Sequence, residues 1–345
     1  MVPSHIIPVA YALLVGCGAA SSSARPSPSD TGPDTTRIAQ YVVHAFTDNK
    51  GTLWFGTMGH GVAHVADGRL TFHSPADGAG GDVVSSIAQD RYGDMWFAGH
   101  EGTGLVRYDG NVFSQQWSEE SAVNTDRDGN VWAATAREVL RHDGEHFVPF
   151  PLPIDRAAIT VYAIRPGRAS LALHDSKGDF WFRTDGAGLL KYDGKDFTHY
   201  TKEDGLCSNS VNDVVEDDDG RIWVICMQAF QPGMTDDGGL CRLDGERFTG
   251  FPELHGLHHN DLYTLFKDSK GAIWVGATGT GVYRFDGTDF TLYDRTDRPD
   301  LNAGFGLQGM TEAADGTLWC GFSGGLFRFD GKGFVHVGRN GPWKR

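Results

Sequence analysis

Cysteine, basic residues and long apolar runs are all scarce in this sequence. There are five cysteines in 345 residues, and no Cys-x-x-Cys or His-Cys spacing of the kind that binds zinc. Lysine and arginine number 30 against 45 aspartate and glutamate, so the formal net charge is −15. An acidic chain without a basic patch is a poor partner for nucleic acid or for an anionic lipid surface. We therefore expect no nucleic-acid partner.

Helical periodicity and the short motifs of several enzyme classes are also missing. No Gly-x-Ser-x-Gly motif and no phosphate-cradling glycine loop occurs. The chain is instead rich in glycine (47 residues) and in aromatic residues (12%), which fits one large all-β domain. The sequence thus names no catalytic residue and no cofactor, and a non-enzymatic role is the favoured interpretation.

One phrase occurs seven times along the chain. It reads Asp-x-x-Gly, a variable residue, an apolar residue and Trp, although the last copy has Ala313 in place of the first Asp. The seven tryptophans are Trp54, Trp96, Trp132, Trp181, Trp223, Trp274 and Trp319. Their mean spacing of about 44 residues, with strand-like composition, is typical of propeller blades.

Each copy continues through a glycine-led strand into an Asp-Gly pair. These pairs are Asp67-Gly68, Asp109-Gly110, Asp143-Gly144, Asp193-Gly194, Asp244-Gly245, Asp286-Gly287 and Asp330-Gly331. Asp-Gly between two strands favours a two-residue type I′ hairpin, in which both residues take positive φ. The sequence predicts an all-β fold, a seven-bladed β-propeller with four-stranded antiparallel blades. Residues 159–164, within an insertion at 151–168, are predicted to add a strand.

The N-terminal segment carries features of export. The apolar run at 6–15 is too short to span a bilayer but suits a secretory signal, and Leu14-Val15-Gly16-Cys17 resembles a lipobox. We expect residues 1–17 to be a signal peptide with lipidation at Cys17, 18–36 a flexible Ser/Pro-rich tether, and 37–345 the propeller. A plain secretory signal and a misassigned start are the alternatives. We expect an exported protein, periplasmic or anchored on the outer membrane, with membrane contact only through the lipid, and we expect it to be a monomer.

Two cysteines stand where a disulfide could form in an exported protein. Cys226 follows Trp223 by three residues and Cys241 begins the next strand, so a hairpin could bring them opposite each other. A disulfide between Cys226 and Cys241 and two buried free thiols are both consistent with this spacing.

The longer loops fall on one end of the predicted meander. Strands alternate in direction, so the turns after the first and third strands share one end, and the loops after the second and fourth share the other. The first end holds repeated plain turns, so we predict ligand binding at the second. The candidate ligand-binding residues there are His60, His100, Glu101, Arg183, Asp185, His258, His259, Asn260 and Gln308.

Arg183 is unusual because the position two residues after the tryptophan is small in five of the seven copies. A guanidinium there must find an acid or water, since an unpaired buried charge is very costly. His255, His258 and His259 lack the spacing of a ligand set, and the Asp-x-x-Gly turns lack the Glu of a calcium loop, so we predict no metal site.

The repeats resemble the two-component regulator propeller family. The resemblance is carried by phrases such as DSKGDFWFRTDGAGLLKYDG at 175–194 and by the lead-in EDGLCSNSV at 203–211. It implies an extracytoplasmic sensor or interaction module that binds a small polar ligand, often a glycan, or an envelope protein. A more distant resemblance to virginiamycin B lyases carries over no residue. An eliminating lyase or hydrolase and an envelope scaffold are the alternative functions.

Overall fold

The computed structural model of the protein describes residues 37–100, 102–229, 238–252, 262–298, 300 and 306–343. Within these ranges regular structure is almost entirely β, broken by 3-10 turns at Pro75–Asp77, Arg156–Ala158 and Lys202–Asp204. None of the described residues form a helix long and apolar enough to cross a bilayer.

The strands follow one another along the chain with short connections. The first eight are β1 (Tyr41–Thr47), β2 (Leu53–Met58), β3 (Val62–Ala66), β4 (Arg69–His73), β5 (Val83–Gln89), β6 (Met95–His100), β7 (Gly104–Tyr108) and β8 (Phe113–Trp117). The next eight are β9 (Ala122–Thr125), β10 (Val131–Ala134), β11 (Val139–His142), β12 (Phe147–Phe150), β13 (Ala169–His174), β14 (Phe180–Thr184), β15 (Leu189–Tyr192) and β16 (Phe197–Tyr200). The remainder are β17 (Val211–Glu216), β18 (Ile222–Cys226), β19 (Gly239–Asp244), β20 (Arg247–Gly250), β21 (Leu262–Lys267), β22 (Ile273–Ala277), β23 (Gly281–Phe285), β24 (Phe290–Tyr293), β25 (Leu307–Glu312), β26 (Leu318–Phe322), β27 (Gly325–Phe329) and β28 (Phe334–Val337).

Consecutive strands pair antiparallel in sets of four. The described strands form five four-stranded sheets and one eight-stranded sheet made from β1–β4 and β5–β8. Within the larger sheet, β2 and β5 are joined by a single residue pair, Met58 with Val83. Because this one bridge lies at the ends of its strands, each half keeps its own four-stranded meander.

The first strands of the sets contact each other in a closed circuit. β1 contacts β5, β5 contacts β9, and the series continues through β13, β17 and β21 to β25, which contacts β1 again. Where the chain meets its beginning, Arg37 bridges Gly338, and Ile38 and Val42 share an apolar cluster with Leu326 and Val337. This arrangement is a β-propeller with the first strand of each set nearest the axis, as the repeats predict.

A glycine two residues after the tryptophan, within the same strand, lets neighbouring four-stranded sets approach closely. A Cβ at Gly56 would lie 2.3 Å from the carbonyl oxygen of Val84, and one at Gly321 would lie 2.3 Å from that of Val42. Both distances are far inside van der Waals contact, so a methyl group at either position would push neighbouring backbone away.

Each Asp-x-x-Gly turn is tied to its tryptophan by the Asp side chain. In the repeat of Trp274, Asp268 Oδ1 accepts from the amides of Lys270 and Ala272, and Oδ2 accepts from the indole Nε1 at 2.9 Å. The same indole bond forms in five more repeats, at 2.7 to 3.1 Å. The carboxylate therefore fixes the turn and satisfies a buried indole donor at once.

The predicted type I′ geometry of the Asp-Gly pairs is wrong for most of them. Asp67 is the one non-glycine residue with positive φ in the described chain, so only Asp67-Gly68 has both residues left-handed. In five other repeats the Asp instead caps a four-residue loop, as Asp193 does by accepting from the amides of Lys195 and Asp196. A side-chain cap can replace positive φ because it satisfies the same turn amides.

The insertion at 151–168 contains no strand, contrary to the prediction for 159–164. It forms one 3-10 turn, Arg156–Ala158, and then an irregular segment that leads into β13. Its backbone amides are satisfied by side chains rather than by a neighbouring strand, as the site shows.

Candidate functional site

The first strands nearest the axis are bulged. Register shifts interrupt the pairing of β1, β5, β13, β17, β21 and β25 with their neighbours. A bulge opposes two residues to one and turns a side chain away from its regular direction. His44 and Asp213 immediately follow two of these shifts, and both are half-buried.

Arg183, Asp213 and His44 form an axial cluster of ionisable groups. Arg183 Nε donates to Ser170 Oγ at 2.7 Å, and its Nη1 donates to the carbonyl oxygen of Asn212. Burial lowers the pKa of Arg183 and raises that of Asp213, while the charge of each opposes the other's shift. Asp213, on the next sheet, is the acid whose charge acts on Arg183, although the two side chains form no ion pair within 4.0 Å.

His44 is held neutral at physiological pH. Burial and then the charge of Arg183 lower the pKa of His44 to about 4, against the effect of a hydrogen bond to the Ile87 carbonyl. A neutral imidazole has one unprotonated ring nitrogen, which can accept a hydrogen bond or a proton. The axis therefore holds a neutral imidazole beside a guanidinium.

His100, Glu120, Arg165 and Arg168 form a second group, here named the mouth cluster. Glu120 lies between β8 and β9 and its carboxylate is 2.9 Å from His100 Nδ1, 2.6 Å from Arg165 Nη2 and 3.8 Å from Arg168 Nη1. Burial alone would raise the pKa of Glu120, but the His100 hydrogen bond and the nearby cations lower it to about 2. The cluster joins a predicted residue, His100, to three that were not predicted.

Arg168 links the mouth cluster to the axial cluster. Burial lowers its pKa, and the charges of Arg183 and Arg165 lower it further, while Glu120 and Asp185 oppose this. Its side chain retains 28% of its accessible surface. Arg168 thus lies close enough to both Arg165 and Arg183 for their positive charges to act on it, in a chain whose net charge is −15.

Asp185 holds the insertion at 151–168, which supplies Arg165 and Arg168. Its Oδ1 accepts from Ala163 N at 2.6 Å and Ser210 Oγ at 2.8 Å, and its Oδ2 accepts from the amides of Ile164 and Arg165 at 2.7 and 2.6 Å. The geometry makes Asp185 a positioning residue, and ligand contact by its carboxylate stays a prediction.

The other predicted site residues are spread around the same end. His60 is exposed in the loop between β2 and β3, and Gln308 lies at the bulge of β25 rather than in a loop. Glu101, His258, His259, Asn260 and the lipidation residue Cys17 lie outside the described residues. Of the predicted residues, the structure therefore brings together His100 and Arg183. His100 contacts Glu120, Glu120 lies near Arg168, and the charge of Arg183 acts on Arg168.

Of the two alternatives for Cys226 and Cys241, a disulfide or two buried free thiols, the structure has free thiols. Cys241 pairs with Val224 across β18 and β19, and Cys226 pairs with Gly239, so the two are not cross-strand partners. Cys241 instead interacts with both Cys207 and Cys226 in one apolar cluster. The other interpretation, buried free thiols, describes this pair.

One described group has the composition of a metal site, and it lies at the end with the plain turns. Asp126, Asp128 and His174 bring three possible ligand atoms within 4.8 Å of one another. Both oxygens of Asp126, however, already accept hydrogen bonds from Asn130 and Trp132. His174 Nδ1 accepts from Arg127 N at 3.2 Å, which leaves little of this set for an ion.

Comparison with protein families gives two matches. Residues 78–101 match the two component regulator propeller family, which confirms the resemblance of the repeats. Residues 155–337, more than half of the chain, match the family described as SMP-30/Gluconolactonase/LRE-like region. The chain belongs to the SMP-30/gluconolactonase-like family. A comparison with curated protein sequences finds no significant match.

Several solved structures share the fold at low identity. The extracellular domain of BT3049 from B. thetaiotaomicron, assigned to a hybrid two component system, superposes with a TM-score of 0.64 at 20% identity. The alignment covers 87% of this chain and 40% of that one, so the protein spans less than half of that domain. A virginiamycin B lyase from Staphylococcus aureus gives 0.59 at 14% identity, covering 84% and 95%. A GH74 xyloglucanase from Xanthomonas campestris gives 0.66 at 13%, covering 87% and 54%.

Within this SMP-30/gluconolactonase-like propeller, sequence reasoning missed five site residues. They are His44, Glu120, Arg165, Arg168 and Asp213. The insertion at 151–168 was the available signal for the two arginines, because it is the part of that repeat which the blade pattern does not explain. His44 and Asp213 gave no signal, since both belong to ordinary alternating strands whose bulges only the structure reveals.

Proposed function

We propose that the protein binds a polar, negatively charged ligand where the mouth cluster meets the axial cluster. The observation that supports this most is the placement of Arg168 beside Arg165 and Arg183, close enough for their charges to repel. Like charges held together in a partly closed site are a mark of functional groups, since the fold alone would avoid them.

The proposal includes seven blades around the axis. The closed circuit of first strands has seven members among the described residues, and the eight-stranded sheet divides into two meanders at the Met58–Val83 bridge. A seven-bladed ring leaves a central channel, and its open rim is the common ligand-binding position in propellers of this kind.

The chemistry of the site favours a carboxylated sugar or hydroxy acid. A guanidinium binds a carboxylate through two parallel hydrogen bonds. The guanidinium of Arg168 lies 3.8 Å from Glu120 and donates no hydrogen bond to a side chain among the described residues. His100, Glu120 and Asp185 add acceptors and donors that suit hydroxyl groups. A ligand that carries both a carboxylate and hydroxyl groups would contact the arginines and these three side chains together.

A binding series with acidic and neutral oligosaccharides tests the function. We expect oligogalacturonate to bind and neutral xylo-oligosaccharides of equal length to bind at least about tenfold more weakly, since one charged hydrogen bond is worth about 1.5–3 kcal/mol. Arg168→Ala should weaken binding of oligogalacturonate by about tenfold or more, and Arg69→Ala, an exposed arginine at the opposite end, should leave it unchanged. Equal losses in the two variants would contradict the site.

A second function, hydrolysis of a sugar lactone, is supported by the family and by His44. An unprotonated imidazole nitrogen at the axis is suited to take a proton from water as the water oxygen bonds to the lactone carbonyl carbon. The ring C–O bond then breaks, and the proton passes to the leaving alkoxide. The product carries a carboxylate, which Arg183 or Arg168 would bind.

Release of acid from glucono-δ-lactone measures this activity directly. We expect the wild-type rate above the spontaneous rate to fall by about a hundredfold or more in His44→Gln, the typical contribution of a general base. His60→Gln, on the rim, is the matched control. A rate that equals the spontaneous rate in every variant would leave binding as the function and reject hydrolysis.

We also propose that the protein works outside the cytoplasm, tethered by a lipid on Cys17. The apolar run at 6–15 and the residues before Cys17 support this. Expression of the full chain followed by membrane fractionation tests it, because Cys17→Ser should move the protein to the soluble fraction. Persistent membrane association of that variant would contradict the lipid anchor.

A further inference from the structure

The last repeat has lost the carboxylate that the other six use to hold their tryptophan. Trp319 occupies the same position as Trp274, but six residues before it stands Ala313 instead of an aspartate. Trp319 is 3% exposed, and its indole Nε1 has no hydrogen-bond partner in the described chain. A buried donor without an acceptor destabilises the fold, so a group that accepts this hydrogen bond would bind favourably here.

The turn itself is unchanged by the loss. Ala313 N donates to Thr317 O at 2.9 Å and Gly316 N donates to Ala313 O at 2.8 Å, as the corresponding amides do in the repeat of Asp268. Asp315 Oδ1 accepts from Thr317 N and so replaces one bond of the missing carboxylate. The indole bond is the one that nothing in the turn replaces.

Trp319 lines a cleft of about 230 Å³ between the first and last repeats, at the end with the plain turns, and its unpaired indole nitrogen is buried in the wall of this cleft. Two more unpaired polar atoms are buried there, Arg328 Nε and Thr317 Oγ1. Arg328 is the cross-strand partner of Trp319 and also lines the cleft. The residues that line this cleft therefore include two with an unpaired buried N–H donor and one with an unpaired buried hydroxyl, and one of the two N–H donors is cationic.

The remaining walls of the cleft are apolar near the indole and acidic at the rim. Trp343 stacks on Trp319 with ring centroids 5.9 Å apart, and Leu53 and Val65 line the other side. Asp67 and Asp315 are exposed at the opening. A ligand with an apolar group next to the indole is thus favoured, and a ligand with a negative charge near Asp67 and Asp315 is disfavoured.

We propose that this cleft binds a monocarboxylate with a short apolar body. Its oxygens would accept from Trp319 Nε1 and Arg328 Nε, as the aspartate carboxylate does from the indole in the other six repeats. Such charge-assisted bonds are about twice as strong as neutral ones, and the low exposure of the donors adds to their strength. This site is separate from the mouth of the channel and does not depend on the function proposed there.

The indole N–H resonance of Trp319 gives a direct measurement. In ¹⁵N-labelled full-length protein the signal is assigned by its loss in Trp319→Phe. Sodium propionate and sodium benzoate, titrated against sodium chloride at equal ionic strength, should shift this signal downfield and saturate, with the other indole signals unchanged. No saturable shift up to about 50 mM, where a ligand with a millimolar dissociation constant would be bound, would overturn the proposal.

The substitution Ala313→Asp is the sharpest control because it restores the carboxylate of the other repeats. Its Trp319 signal should lie downfield without ligand and should no longer respond to propionate. Ala314→Asp, which adds the same charge at the exposed neighbouring position, should keep most of the response. A full response in Ala313→Asp would contradict the site.

Arg328→Gln keeps the proposal testable if Ala313→Asp does not fold. It retains a polar side chain of similar length and should weaken propionate binding by about tenfold, the effect of losing one charged donor. Glycyl-aspartyl-glycine, acetylated and amidated at its ends, separates the two sources of a carboxylate. A response to this peptide with none to propionate or benzoate would reject a small-acid ligand.

Discussion

Oδ2 of Asp268 accepts the indole N–H of Trp274 at 2.9 Å, and Oδ1 of the same carboxylate accepts two turn amides. The tryptophan is 1% exposed, so its only polar atom has no access to water. One carboxylate therefore closes a turn and accepts the hydrogen bond of a buried tryptophan. This double role explains why the Asp and Trp recur together at a fixed spacing.

Removal of this carboxylate should destabilise the fold markedly. Asp268→Ala leaves a buried indole and two amides without acceptors, and we expect the free energy of unfolding to fall by about 3 kcal/mol. Asp286→Ala is the matched control, because Asp286 also accepts from two turn amides but lies exposed in a hairpin. Urea unfolding should show a much smaller loss for the control. Similar losses would mean that the turn matters and the indole does not.

The stability of the protein should decrease as the pH falls from 7 to 5. The pKa of His44 is about 4 in the fold and about 6.5 when unfolded, so the unfolded chain binds more protons between these values. The free energy of unfolding should drop by about 2 kcal/mol over this range from His44 alone. His44→Gln should remove that part of the pH dependence, whereas His60→Gln should retain it. An unchanged slope in His44→Gln would show that the imidazole is protonated freely in the fold.

Gly321 should tolerate no side chain. A Cβ there would lie 2.3 Å from a backbone oxygen of Val42, so Gly321→Ala must push β1 from β26 where the ring closes. We expect a loss of about 2–3 kcal/mol in urea unfolding, as for other overpacked positions. Gly333→Ala, whose nearest foreign atom would be 3.4 Å away, provides the comparison and should cost far less. Equal stability of the two variants would refute the close approach.

Reducing agents should leave the melting temperature unchanged. Cys207, Cys226 and Cys241 are free and cluster together. A hydrogen bond with Cys241 and burial raise the pKa of Cys207, and burial raises that of Cys241, so little thiolate forms at neutral pH. Iodoacetamide should label these residues only after unfolding in urea. A melting temperature that falls when dithiothreitol is added would indicate a disulfide.

Asp185→Asn should weaken ligand binding at the mouth without direct contact. The amide can accept fewer of the four donors that Asp185 binds, so Ala163 to Arg165 would lose their anchor. We expect binding of oligogalacturonate to weaken by about tenfold and limited proteolysis at 156–168 to become faster. Asp193→Asn, in an exposed turn, should change neither measurement. Weaker binding with unchanged proteolysis would make Asp185 a ligand residue.

The fold could be predicted from the sequence because its determinants repeat. Seven tryptophans, each preceded by a turn and followed by an Asp-Gly pair, fix the order of strands and which end carries the plain turns. Two details could not be predicted, the turn type of the Asp-Gly pairs and the relative positions of two cysteines, because each depends on local interactions that the sequence pattern does not distinguish. Asp193 caps its own turn by a side chain, which the Asp-Gly pattern does not distinguish from a two-residue hairpin, and Cys241 is displaced from Cys226 by strand register.

The candidate site was predictable only where a residue broke the repeat. Arg183 stood out because its position is otherwise small, and the structure places it beside Asp213. Arg165 and Arg168 lie in a segment without periodicity, where no rule tells which side chains turn inward. Glu120 joins them across two sheets, and contacts of this kind depend on ring closure rather than on any local pattern.

The two ends of the segment at 151–168 are joined, because Arg156 Nε donates to Gly167 O at 3.1 Å. The segment is also held by the hydrogen bonds of Asp185 to its amides. It contributes no strand to any sheet, so a chain of different length and composition could replace it without altering the blades. If the mouth binds a ligand as we propose, exchange of this one loop would change which ligand is bound while the blades stay the same.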